Sequence, residues 1–326
     1  MPRSMNKRLF GAAAGSGLLV LVVGAWIESA LIAATHATGG ELEWISDLIA
    51  AIAVTAVTYL WLNLRETRTR VLDLERAGIV VAEQLRLAAE IQRSLLPAIP
   101  SSTPGYEWAA RMIPAHEVGG DFYDFLQRDD EVLLILGDVS GKGIPAALLQ
   151  SSLKTLFRVH ASATDAPDAI AREMSQGLLE QTGGVPYATV IVARLTRAPY
   201  RITYVNAGHP AGLVVRGDRI ESLGAGGPPL GLLPGASYEC GSIELQPGDL
   251  GVLVTDGVTE ALEGGPAALR AALVSDPLGQ AMVPAAVCEH VLKIAGDGRG
   301  PLEKGEWFDD RTALVFRVDP SAVWHP

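Results

Sequence analysis

Cysteine is nearly absent from this chain. Only Cys240 and Cys288 occur in 326 residues. They lie far apart and have no His or Cys at ligand spacing. That argues against a disulfide scaffold and against a structural zinc site. Both read as small buried apolar residues. Aromatic residues are also scarce, at 6%. Basic residues are in deficit, with 26 Lys and Arg against 37 Asp and Glu and a net charge of −11. A nucleic-acid surface is therefore not the main business of the chain. Internal repeats and low-complexity tracts are missing too. What the chain has is length for up to two domains and an appendage, enough to bury a large core.

Two long uncharged runs stand near the N-terminus. The first covers 9–27 and ends at Glu28. The second covers 48–64, opened by Trp44 and Asp47 and closed by Tyr59, Trp61 and Arg65. Each approaches the roughly 20 residues needed to cross a hydrocarbon core. Aromatic residues near the ends fit interfacial anchoring. The 28–47 segment carries Glu28, Glu41, Glu43 and Asp47 and no Lys or Arg, whereas Arg3, Lys7, Arg8, Arg65, Arg68, Arg70 and Arg76 flank the runs. The positive-inside rule then predicts a two-span hairpin over 1–64 in the cytoplasmic membrane. Both termini would face the cytoplasm. The alternative is a cleaved signal peptide over the first run, against which the second run and its basic flank speak.

Residues 65–96 predict a helical connector. Leu64, Val71, Leu74, Val81, Leu85, Ala88 and Leu95 share one a/d register, interrupted by Gly78 and Gln92. This is a coiled-coil-like stripe over about four heptads. Pro97 and Pro100 end it. Two readings stay open: a helix packed on its own soluble domain, or a parallel pair in a homodimer that carries a signal from membrane to site.

From residue 106 the texture changes to strands and turns. Strands are predicted at 106–113, 122–127, 131–136, 187–195, 201–205, 211–215, 238–245, 249–254 and 312–318. Helices are predicted at 144–160, 166–181, 266–274 and 283–295, with Pro145 and Pro167 in first turns and Asp165 as a cap. Hairpins with helices in separate blocks point to an α+β layered fold. The soluble domain spans 97–320, with a tail at 321–326.

The acids sit at the strand ends. Gly119-Gly120-Asp121 precedes one strand, with Asp124 three residues on. Asp138 follows another inside Gly137-Asp138-Val139-Ser140-Gly141-Lys142-Gly143. Thr255-Asp256-Gly257 ends the 251–254 run, and Asp309-Asp310 opens the last strand. Carboxylates gathered at one sheet edge repel unless cations lie among them. Oxygen-only ligation without His or Cys fits Mg²⁺ or Mn²⁺. The Gly-Lys-Gly turn is not a phosphate loop: three residues separate Gly137 from Gly141, and Gly143 stands where a Ser or Thr is needed.

Taken in order, Gln92-Arg93-Ser94-Leu95-Leu96-Pro97, Glu117-Val118-Gly119-Gly120-Asp121-Phe122-Tyr123-Asp124, the Gly137–Gly143 turn, Asn206-Ala207-Gly208-His209, Pro229-Leu230-Gly231, Thr255-Asp256-Gly257-Val258-Thr259-Glu260 and Asp309-Asp310-Arg311-Thr312 resemble the SpoIIE/RsbU-type branch of the PP2C (PPM) metal-dependent serine phosphatases. The resemblance covers about 92–318. It implies an αββα sandwich, two packed antiparallel sheets flanked by helices, with two Mn²⁺ or Mg²⁺ ions at one end. It implies that Asp138 bridges both ions with the Val139 carbonyl beside it. Asp256 and the Asp309-Asp310 pair complete the second site, Asp309 before Asp310, and Asp121 holds the outer side through a metal or its water. Asp138 and Asp256 thereby carry catalysis through activated water. The resemblance also implies that the helix before the domain and the two helices after the Gly-Lys-Gly turn regulate metal binding. The implied substrate is a phosphorylated STAS-type anti-anti-sigma protein in bacterial partner switching.

Other residues carry weaker expectations. Arg111 and His116 are phosphate candidates, set against an ion-paired strand Arg and an exposed loop His. His209 reads as structural, and Lys142 as a solvated turn residue. PAS, GAF, HAMP and receiver domains are not evident. The competing function is a catalytically inactive binding or scaffold module on the same fold.

Overall fold

In this computed structural model the described residues are Trp26, Ser29, 43–99, 103 and 105–319, apart from 129, 198, 225, 276–282 and 299–308. Most of the 9–27 run, most of the 28–47 segment and the 321–326 tail lie outside them. The chain divides into two compact units, residues 1–81 and 82–326.

Helix α1 (Glu43–Ser94) is continuous for 52 residues. It runs through 64/65 unbroken, because this stretch has no proline and only Gly78 weakens it, at about 1 kcal/mol. Exposed pairs such as Arg70–Glu66 at 2.6 Å and Arg86–Glu90 at 2.7 Å brace successive turns, each by about 0.3–0.5 kcal/mol. Among the described residues no helix is long and apolar enough to cross a membrane. The 48–64 run lies within α1, and Arg65 and Glu66 follow it directly. Leu64, Val71, Leu74 and Val81 of the a/d stripe are exposed, whereas Leu85 and Ala88 are partly covered.

The second unit is built on two five-stranded antiparallel sheets. One has the order β1 (Tyr106–Ile113), β10 (Arg311–Val318), β9 (Leu250–Val254), β6 (Gly212–Arg216), β7 (Arg219–Leu223). The other has the order β2 (Phe122–Gln127), β3 (Glu131–Val139), β4 (Ala188–Arg197), β5 (Tyr200–Ala207), β8 (Gly241–Glu244). β3 shows why the sheets stack. Val132, Leu134 and Leu136 enter the core between the sheets with Phe125, Leu314 and Phe316. Leu133 and Ile135 point the other way, against Leu153 and Phe157 of α2 (Ile144–Ala163) and Met174 of α3 (Pro167–Thr182). Side chains alternate along a strand, so an uninterrupted apolar run is what a strand buried on both faces requires. On the far side, Val252, Val254 and Val315 meet Leu269 and Leu273 of α5 (Gly265–Ser275) and Val291 of α6 (Pro284–Gly298). The expected αββα sandwich is therefore present.

Local departures have local causes. β3 runs three residues past the expected end, so Asp138 and Val139 still pair with Thr189 and Ala188. The expected strand at 238–245 is confined to Gly241–Glu244. β7 was not expected: it is an edge strand with Leu223 buried but Arg219, Glu221 and Ser222 exposed, and so lacks a clean apolar alternation. The two-residue turn Gly217-Asp218 between β6 and β7 was its readable signal. Thr255 leads into a short helix, α4 (Asp256–Ala261), not a simple turn. Asp165 does not cap α3; Ala166 holds the N-cap position without a side-chain bond, and Asp165 pairs with Arg194 at 2.7 Å.

Candidate active site

Strand register brings the acids together. Gly137 lies opposite Phe122 in one sheet, which sets Asp138 beside the Gly119–Asp121 turn. Ala313 lies opposite Val254 in the other, which sets Asp256 beside the Asp309-Asp310 pair. Glycine makes the closeness possible. A Cβ on Gly120 would stand 2.6 Å from Asp138 Oδ1 and 2.8 Å from the Val139 carbonyl oxygen. A Cβ on Gly257 would overlap the Asp310 carbonyl.

Asp121 is the staple between the sheets. It is 1% exposed, and its Oδ2 accepts from Thr255 Oγ1 at 2.8 Å and Thr312 Oγ1 at 2.6 Å. Burial first, then the charge of Asp138, holds its carboxyl well above the usual carboxylate range. Asp310 is also buried, and both its oxygens are taken: the N–H groups of Ala115 and Gly120 each donate to it at 2.8 Å. It fastens the 114–120 loop. Asp309 is partly exposed; its Oδ1 accepts the Asp310 N–H at 2.9 Å, and its Oδ2 lies 3.4 Å from Lys142 Nζ.

Asp309 bears on both Asp138 and Asp256, and Asp256 bears on Asp138. Asp138 is pushed up to about 8, by burial first and then by Asp256, Asp309 and Asp310. Asp256 is raised by burial, then by Asp309 and Glu260. Like charges held this close favour protonation or a cation. Three observations fit the residues to a hard divalent ion. The donors are all oxygen. Asp256 Oδ1 is buried with no hydrogen-bond partner. Asp138 Oδ1 and the Val139 carbonyl share the cradle that a Cβ on Gly120 would fill. Among the described residues no three His, Cys, Asp or Glu side chains converge tightly enough to hold an ion alone.

The weaker candidates separate. Arg111 pairs with Glu289 of α6 at 2.9 Å. His116 is exposed on the loop that Asp310 fastens. His209 is buried and pushed down to about 3, chiefly by burial. Its Nδ1 meets Thr189 Oγ1 at 2.9 Å, directly across from Asp138 in the ladder. Lys142 is no isolated turn residue, since it reaches Asp309. The sequence also gave no sign of a clamp at the end of α1. Gln92 Nε2 donates to the Gly119 carbonyl at 2.8 Å, and Gly119 N–H returns a bond to Gln92 Oε1 at 3.2 Å. The same amide meets Gln150 of α2, and Lys154 donates to the Leu95 carbonyl.

Comparison with known proteins decides the family. The profile described as Stage II sporulation protein E (SpoIIE) matches residues 128–319, more than half of the chain. The chain belongs to the SpoIIE family. It is 26% identical over 243 residues to phosphoserine phosphatase RsbU of Bacillus subtilis, covering 73% of this chain and 70% of that protein. Phosphoserine phosphatase RsbP of the same organism is 29% identical over 183 residues, 54% of this chain and 45% of that protein. Among solved structures, the SiaA PP2C domain of Pseudomonas aeruginosa superposes with a TM-score of 0.66 at 21% identity, over 74% of this chain and 99% of that one. The RsbU and RsbW domains of Rv1364c from Mycobacterium tuberculosis superpose at 0.53 with 28% identity, over 68% and 62%. These likenesses establish the PP2C-type fold.

Proposed function

We propose that this SpoIIE-family chain hydrolyses phosphoserine or phosphothreonine on a folded protein substrate, with two Mn²⁺ or Mg²⁺ ions at the Asp138 end of the sandwich. Family membership makes the enzyme class a protein serine/threonine phosphatase. The observation that carries the metal reading is the orphaned Asp256 Oδ1 beside Asp138 and Asp256, both raised by burial and by the neighbouring Asp309.

Asp138, the Val139 carbonyl, Asp256 and Asp309 would hold the ions, with Asp121 behind Asp138 and Asp310 as the less available member of its pair. When bound, the ions supply an activated water and charge neutralisation at the phosphate. The chain's own residues do the rest. Thr255 and Thr312 fix Asp121, so Asp138 meets a rigid neighbour. Asp310 fixes the 114–120 loop. The Gln92 clamp places α1 one residue from Gly120, which supports a regulatory role for that helix. In the full chain, Asp138→Asn and Asp256→Asn should each lower Mn²⁺-dependent phosphate release at least a hundredfold. Unchanged turnover in both would overturn the site. A scaffold reading survives only if the wild-type chain neither releases phosphate nor binds Mn²⁺ by calorimetry.

The finer readings have their own support. RsbU and RsbP are named phosphoserine phosphatases, and Rv1364c joins an RsbU domain to an RsbW domain. This supports a phosphorylated STAS-type anti-anti-sigma substrate in partner switching. The uncharged runs at 9–27 and 48–64 with their basic flanks support a cytoplasmic-membrane hairpin, on sequence pattern alone. Recovery of the native full chain in the soluble fraction after lysis would remove that proposal. The exposed a/d stripe of α1 supports a homodimer.

A further inference from the structure

A phosphomonoester brings close to two negative charges to this site. The carboxylates that would hold the ions, Asp138, Asp256 and Asp309, bring three; two divalent cations bring four, which leaves one. A second positive group is needed to balance the substrate. Arg111 is engaged with Glu289, and His209 is buried and neutral at ordinary pH. Among the described ion pairs, the one that reaches this cluster is Lys142 Nζ to Asp309 Oδ2, at 3.4 Å.

The turn that carries Lys142 is built as an arm. Its base is fixed, since Ser140 N–H donates to the Tyr187 carbonyl and Tyr187 N–H donates to Ser140 Oγ, both at 2.9 Å. Beyond the base, Lys142 stands between Gly141 and Gly143, with φ of 106° and 75°. A Cβ at either glycine would meet nothing within 4 Å. The lysine side chain is 51% exposed. A long cation on an open, glycine-flanked turn can change partner without moving the strand behind it.

We propose that Lys142 is the substrate-phosphate contact of this site. It holds Asp309 when no substrate is present and passes its ammonium to the phosphate oxygens when the phosphoester enters. The proposal rests on the phosphatase reading above. Its chemistry is that of a charge-assisted hydrogen bond to an anion.

The test uses the full chain in detergent with Mn²⁺ and a phosphoserine peptide, comparing wild type, Lys142→Met and Lys142→Arg. Lys142→Met should raise KM about tenfold with kcat within about threefold, since the contact forms in ground and transition states alike. Inhibition by inorganic phosphate should weaken by a similar factor. Lys142→Arg should restore most of both. Mn²⁺ affinity by calorimetry should be unchanged or higher in Lys142→Met, because Asp309 loses an internal counter-ion. KM and phosphate inhibition within twofold of wild type would overturn the proposal. So would a fall in Mn²⁺ affinity that tracks the loss, which would make Lys142 a prop for Asp309. If the wild-type chain turns over no substrate, the phosphatase reading fails instead. Lys142 is then judged by inorganic-phosphate binding to the Mn²⁺-loaded chain: binding lost in Lys142→Met supports it, and equal binding refutes it.

Discussion

Asp138 sits where burial and three neighbouring carboxylates all disfavour its charge. Its folded pKa near 8 lies far above the unfolded value of 3.8. The folded state therefore holds a proton that the unfolded state releases above about pH 4. The resulting stability is full below pH 4 and is lost as pH rises towards 8. The metal-stripped full chain should accordingly melt at a lower temperature at pH 8 than at pH 5. Adding Mn²⁺ should erase most of the gap, and Asp138→Asn should shrink it; a flat profile in chelator would contradict the crowded-carboxylate account. Gly120 tests the same crowding sterically. Gly120→Ala places a Cβ within 2.6 Å of Asp138 Oδ1, tighter than real contacts allow. Mn²⁺ affinity should fall roughly tenfold or more while the circular dichroism spectrum stays that of the folded protein. Normal affinity would show that the cradle is more pliant than drawn.

At the scale of elements, α2 is fastened on one polar side. Gln150, Lys154 and Arg158 recur every four residues, so they share a face. They meet Gln92, the Leu95 carbonyl and Asp124. Asp124 is fully buried and takes two 2.7 Å bonds from Arg158, whose own side chain is half exposed. Asp124→Ala should cost about 2 kcal/mol, a charged hydrogen-bonded pair discounted for that exposure. Arg158→Ala should cost at least as much, because it strands a fully buried carboxylate, and the double variant less than the sum. Thermal melts of the set would decide it, with strict additivity as the adverse result. Helix α1 offers the other test at this scale. Val71→Glu with Leu74→Glu should turn a dimer of the full chain into a monomer by analytical ultracentrifugation. A wild-type chain already monomeric at high concentration would end the dimer proposal.

Over the whole molecule, stability rests on the core between the sheets. Phe316 of β10 in one sheet and Leu134 of β3 in the other are both fully buried there. Phe316→Ala should cost about 3–5 kcal/mol and lower the melting temperature of both sheets together, because neither buries its inner face alone. Separate transitions for two halves of the sandwich would speak against one shared core. The active-site acids close one end of this sandwich, and Asp121 with its two threonines ties the sheets there. Rigidity of the fold and geometry of the site thus have a common source.

The sequence by itself determined the strands and most helices, because apolar alternation, glycine turns and prolines act over a few residues. It determined the acids too: Asp121, Asp138, Asp256, Asp309 and Asp310 each stand in a short motif at a strand end. It did not disclose β7, whose residues are mostly exposed, nor that Asp165 would leave the cap of α3 for Arg194. Only the tertiary structure decided the partners. Thr255 and Thr312 reach Asp121 across 134 and 191 residues of chain. Asp310 is consumed by the Ala115 and Gly120 amides, which leaves Asp309 facing Asp138, Asp256 and Lys142. Gln92 meets Gly119, and Arg158 meets Asp124. Local pattern specifies which backbone states a residue favours. Which distant groups then touch depends on strand order and register, and those are fixed by burying both faces of two sheets at once.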